Sequence, residues 1–120
     1  MLRCPSALGL LLPALAAAFS CASPTLPLPP PDAPSVQAGL DADHVALWSP
    51  CGGAEGGATV VIFNTNPTVP NDKAVSASIA NTCGAWDAPS VYAHNGDVLS
   101  VTQQIAGLLS GPATVQVQLP

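Results

Sequence analysis

From residue 36 onward, apolar and polar residues alternate in short runs broken by turn formers, the period-two pattern of strands lying on a core. Val45-Ala46-Leu47-Trp48 opens the series and is stopped by Pro50, after which Gly52, Gly53, Gly56 and Gly57 surround Glu55 in a loop. Ala58 to Asn64 is the strongest strand, β-branched and apolar enough for a central position. Asn64 to Lys73, with Pro67, Pro70 and Asn71-Asp72, reads as a connecting loop. Ala74 to Ala80 places Val75, Ala77 and Ile79 on one face and Ser76 and Ser78 on the other. After a turn at Asn81–Gly84, Ala85-Trp86 begins a strand toward Val91 and Tyr92, and Asn95-Gly96, both tolerant of positive φ, turns the chain. Val98 to Gln103 sets Leu99 and Val101 opposite Ser100 and Thr102. Gly107 to Pro112 turns again. Thr114 to Leu119 sends Val115, Val117 and Leu119 inward and Gln116 and Gln118 outward. Six or seven strands with a turn about every ten residues predict an all-β fold, a small antiparallel sandwich over 36–120.

Two other patterns precede it. Met1-Leu2-Arg3 is a short positive segment, followed from Leu8 to Phe19 by a Leu- and Ala-rich run of signal-peptide length. A membrane-spanning helix needs about 20 apolar residues, and the prolines from Pro24 onward arrive too soon for one. Residues 1–20 therefore read as a secretory signal. Ser23 to Ser35 is nearly every second residue Pro, which favours polyproline II and a spacer rising about 3.1 Å per residue. Pro27-x-x-Pro30 matches a PxxP ligand, but no basic residue flanks it.

Composition narrows the function. Charged residues are 8% of the chain, against about a quarter in ordinary domains. The formal charge is −5 and the only basic side chains are Arg3 and Lys73. Phosphate neutralisation needs clustered Lys and Arg, so nucleic acid is excluded as a partner, and electrostatic attachment to anionic lipid with it. Aromatics are only 4%, leaving a core of Val, Ile, Leu and Ala, while Gly 10 and Pro 14 disfavour a helical bundle.

Ala18-Phe19-Ser20-Cys21 resembles a bacterial lipobox, although that family prefers Leu where this chain has Ala18 and a smaller residue than Phe19. The resemblance implies lipidation of Cys21, which would become the mature N-terminus of a 21–35 tether. With Ala22 and Ser23 following the cysteine, such a lipoprotein would resemble those sorted to the outer membrane. Ser20-x-Ala22 also fits ordinary cleavage after Ala22. Lipidation or removal of Cys21 leaves Cys51 and Cys83 as an even pair, as expected in an oxidising compartment. Acyl chains contribute about 0.8 kcal/mol per CH₂, so this anchor would be stable.

Within the sandwich, Ala58-Thr59-Val60-Val61-Ile62-Phe63, Ala85-Trp86, Asn95-Gly96-Asp97-Val98-Leu99-Ser100-Val101-Thr102 and Ser110-Gly111-Pro112-Ala113-Thr114-Val115-Gln116-Val117 stand in a recognisable order. The order resembles bacterial Ig-like domains of surface proteins and adhesins, over roughly 34–120. The resemblance implies an Ig-like sandwich with Trp86 in its core and a spacer or adhesive role. This chain departs from that pattern in carrying one copy and a cysteine pair.

Cys51 and Cys83, each followed by Gly in a loop, are expected to form a disulfide; metal ligation is the rival, without a C-x-x-C or paired His to support it. His94 with Asp97 and a serine could be imagined as a catalytic set, but no nucleophile motif accompanies them. Asp41-x-Asp43, with or without Asp97, could offer oxygens to Ca²⁺, although loop carboxylates are commonly just solvated. Trp48 and Tyr92 are the candidate ligand surface, since exposed aromatics stack on sugars or protein partners. The expectation is a non-enzymatic cell-envelope lipoprotein, membrane-held through Cys21, without cofactor, presenting an Ig-like module to a protein or glycan partner. The alternative is a soluble secreted or periplasmic ligand-binding protein.

Overall fold

The β-branched run at the centre of the sequence pattern is also central in space. In the computed structural model, which describes residues 27–120, β3 (Thr59–Asn64) lies between β4 (Val75–Ile79) and β6 (Val98–Ile105). The short strands β7 (Leu108–Leu109) and β8 (Ala113–Gln116) both pair with β6, at its C-terminal and N-terminal halves. The second sheet has the order β1 (Ser35–Ala38), β2 (His44–Ser49), β5 (Trp86–Tyr92). All pairings are antiparallel, and the two sheets form a sandwich of Ig-like type. The predicted signal and Cys21 lie outside the described residues.

Inward residues of the two sheets meet in one core. Val45 and Leu47 from β2, with Trp86, Ala88 and Val91 from β5, pack against Val60 and Ile62 of β3, Leu99 and Val101 of β6, and Val117. Each buried Val, Leu or Ile contributes about 1.5–3 kcal/mol. Trp86 is the only aromatic in this cluster, as the Ig-like resemblance implied. Cys51 and Cys83 are joined, with their Cα atoms 4.9 Å apart.

Three details depart from the sequence reading. Ser35–Ala38, which carries a single apolar β-former, pairs with β2 through Val36 opposite Leu47. The stretch 107–112 is not wholly a turn, because Leu108–Leu109 folds back on Gln104–Ile105. Ala106 and Gly107 make this two-residue hairpin with φ of 51° and 79°. Positive φ at both positions is the requirement of a type I′ turn, which Asn meets and Ala resists. Ala106→Asn is therefore expected to stabilise the domain by about 0.5–1 kcal/mol. Thermal unfolding checks this, and a lowered Tm would reject the turn assignment.

The third departure is β4. Its alternation is present, but the apolar face is the solvent face: Val75 is 57% and Ile79 73% exposed, beside Phe63 at 45% on β3. Register explains the inversion. Ser76 and Ser78 stand opposite Ile62 and Val60, the inward residues of β3. The Ser78 hydroxyl donates to the Asp87 carbonyl of the other sheet, closing that side of the sandwich. Small hydroxyls fit where the two sheets approach; the larger side chains are turned outward.

Part of the Pro-rich stretch is docked on the domain. Pro31 and Pro34 are buried, and the Asp32 N–H donates to the Gly53 carbonyl at 2.9 Å. Buried Gln103 donates from Nε2 to the Pro29 carbonyl at 2.8 Å and accepts from the Glu55 N–H at 2.7 Å. One amide thus ties the incoming segment to the Gly-rich loop. Removing it with Gln103→Ala loses both bonds, and hydrogen exchange at the Glu55 and Asp32 amides should quicken about tenfold. Unchanged exchange would show that the buried prolines alone hold the segment.

Candidate functional site

Alternation along β2 sends Val45, Leu47 and Ser49 inward and leaves His44, Ala46 and Trp48 on the outer face. The register sets Tyr92 beside His44 and Asp87 beside Trp48. The two aromatic candidates therefore share a face but stand at opposite ends of it. Four residues separate their positions along β2, about 13 Å at the rise of a strand. They do not form one platform.

At the Tyr92 end, the ring is flanked edge-on by both imidazoles, with centroids 5.6 Å away for His44 and 5.2 Å for His94. Lys73 places its Nζ 5.1 Å from the Tyr92 centroid, within cation–π range. Each imidazole has a carboxylate: His44 Nδ1 lies 2.7 Å from Asp41, and His94 Nε2 lies 2.8 Å from Asp43. The His44 contact and the Asp43 N–H hold the Asp41 carboxyl below its ordinary range. Asp41-x-Asp43 is thus engaged with the two histidines, binding the turn before β2 to the loop after β5. Among the described residues no three His, Cys, Asp or Glu side chains converge as metal ligands.

Asp97, considered above with His94 or with a cation, is committed elsewhere. It is buried and accepts from Asn64 Nδ2 at 2.9 Å, Asn66 Nδ2 at 2.7 Å and the His94 N–H at 2.9 Å. Burial pushes its carboxyl up and is the largest influence, but the Asn64, His94 and Asn66 donors together hold it below the ordinary 3.8. The carboxylate is the hub of a loop-fixing network.

The Trp48 end is different in character. A groove of about 390 Å³ is lined by Trp48, Ser49, Ile79, Asn81, Ala85, Trp86 and Asp87. It crosses the seam where β4 approaches β5, so it draws on both sheets. Trp48, 43% exposed, forms one wall; Ile79 of the inverted β4 lies in the same lining. Asn81 Oδ1 accepts from the Cys83 and Ala85 N–H groups, which fixes that side chain next to the disulfide. Buried beneath are Ser49 and Trp86, whose Oγ and Nε1 have no hydrogen-bond partner among the described residues. A larger depression of about 470 Å³ beside the 105–109 hairpin has no aromatic, acidic or basic residue in its lining.

Comparison of the chain with protein-family models, curated proteins and solved structures finds no match. Function is therefore carried by the chemistry of these surfaces. Sequence reading singled out Trp48 and Tyr92 but missed Asp87, Asn81 and Ile79 as neighbours of Trp48. Only the pairing of Trp48 with Asp87, and the packing of β4 against β5, brings them together. The histidines and Asp41-x-Asp43 were recognisable as polar residues near strand ends, yet their meeting around Tyr92 needs the same register.

Proposed function

We propose that this chain is a non-enzymatic cell-envelope lipoprotein, anchored through Cys21, that presents its Ig-like module in an adhesive role. The observation that supports an adhesive role over a plain spacer is Trp48. A large indole held 43% exposed on the rim of a groove has a cost in water that a spacer does not need. The Pro-rich stretch and the lipobox-like Ala18-Phe19-Ser20-Cys21 support the anchor.

The test has two arms on bacteria expressing the full chain. Mass spectrometry of the mature N-terminus is expected to find a diacylglyceryl-modified Cys21; an unmodified terminus at Ser23 would reject the anchor and favour a soluble secreted protein. Cells carrying the chain are expected to adhere to polysaccharide-coated or protein-coated surfaces more than cells lacking it, and the gain should be lost with Trp48→Ala. Equal adhesion by all three strains would leave only a spacer.

A further inference from the structure

The Trp48 groove offers a mixture of groups that few ligand classes can satisfy together. Trp86 Nε1 can only donate a hydrogen bond, and the Asp87 carboxylate can only accept. Ser49 and Asn81 can do both. Trp48 and Ile79 supply apolar surface.

A cation would suit Asp87 and the indole face but would leave the buried Trp86 N–H without an acceptor. An anion would take that N–H but would face Asp87 on a chain of formal charge −5 with one basic side chain after the leader. An alkyl group would cover Trp48 and Ile79 and leave every polar atom unmet. Leaving a buried donor unmet costs about 1–3 kcal/mol, enough to decide between classes. A neutral ligand bearing several hydroxyls and one apolar face meets every demand. Its hydroxyls donate to Asp87 and accept from Trp86, and its C–H face lies on Trp48.

We propose that the groove at the β4–β5 seam binds a neutral pyranose unit of a glycan, stacked on Trp48 and hydrogen-bonded to Asp87, Asn81 and the Trp86 indole. This rests on the adhesive reading above and names its ligand class. The volume of about 390 Å³ falls in the range of small-molecule sites and accepts one or two sugar rings. The groove is open to solvent at the seam, so an internal unit of a chain can enter as readily as an end. Tyr92, distant along the same face, takes no part.

The two tryptophans make the test direct. In ¹⁵N-labelled full-length mature protein they give two indole N–H resonances, assigned with Trp48→Phe. Chitohexaose, cellohexaose and mannohexaose are titrated separately, with hexalysine and hexaglutamate as charged controls. At least one hexasaccharide is expected to shift both indole signals saturably, the buried Trp86 proton moving downfield as it gains an acceptor. Trp48→Ala should weaken that binding about tenfold or more while leaving Tm unchanged. Val75→Thr, on the outer face of the other sheet, should bind like the unaltered protein.

Absence of saturable shifts with all three sugars overturns the proposal, as does a response to hexalysine or hexaglutamate instead. If sugars fail while adhesion to protein-coated surfaces stays sensitive to Trp48→Ala, the ligand class is wrong and the adhesive reading stands. If adhesion is also indifferent to Trp48→Ala, both fall.

Discussion

Breaking the Cys51–Cys83 bridge, by reductant or by C51A/C83A, is expected to cost the domain about 3–4 kcal/mol of stability. The two cysteines are 32 residues apart, and releasing the bond restores the freedom of that loop to the unfolded chain. For a domain of this size, total stability is on the order of 5–15 kcal/mol, so the loss is a large share. The corresponding fall in Tm is on the order of 15–25 °C. Both cysteines are exposed, so reductant reaches the bond without prior unfolding. The loops they join are also held by backbone bonds, Gly52 N–H to Cys83 O at 2.7 Å and Ala54 N–H to Gly84 O at 3.0 Å. Calorimetry with and without reductant measures the effect. A shift of only a few degrees would mean that these backbone bonds already hold the loops. Zinc release on reduction would replace the disulfide by a metal site.

Asp97→Ala is the substitution expected to cost most outside the core. It leaves the side chains of Asn64 and Asn66 and the His94 N–H without their charged acceptor, at about 3 kcal/mol or more in total. The same residue sets an acid dependence. Its folded pKa is depressed, so its contribution is fully present at neutral pH, above the unfolded value of 3.8. As the pH falls below 3.8 the unfolded chain takes up the proton first, and the contribution is gone once the folded carboxyl is also protonated. Asp97→Asn keeps one acceptor oxygen and removes the titration. Chemical denaturation between pH 2 and 6 should therefore show a shallower acid loss for Asp97→Asn than for the unaltered protein. Parallel curves would shift the acid sensitivity to other carboxylates.

The strands most easily read from the sequence were those whose side chains decide their own burial. Val60 and Ile62 on β3, Leu99 and Val101 on β6, and Trp86 on β5 went inward as their pattern required. The disulfide was legible because two cysteines in Gly-flanked loops had no competing ligands. Reading failed where a neighbour decides. Val75 and Ile79 are turned out because β3 supplies the large inward residues of that layer and β4 needs only serines there. Ser35–Ala38 and Leu108–Leu109 are too short to carry a period and exist only as partners of β2 and β6. The Trp48 groove was half legible for the same reason. An aromatic beside Ser49-Pro50 could be noticed, but Asp87 and Ile79 reach it through strand pairing and sheet packing.

The docked prolines bear on how the domain meets mechanical load. Tension arriving from the N-terminal side reaches the domain first at the Pro29 and Asp32 contacts with Gln103 and Gly53. Gly53 lies two residues after Cys51, whose bond to Cys83 crosses to the loop between β4 and β5. Force entering there is shared by a covalent bond with strands of both sheets before β1 is asked to peel from β2. Under pulling, the docked prolines should detach first as a short, low-force extension. The 32-residue span enclosed by the bridge contributes no length until the bridge is reduced.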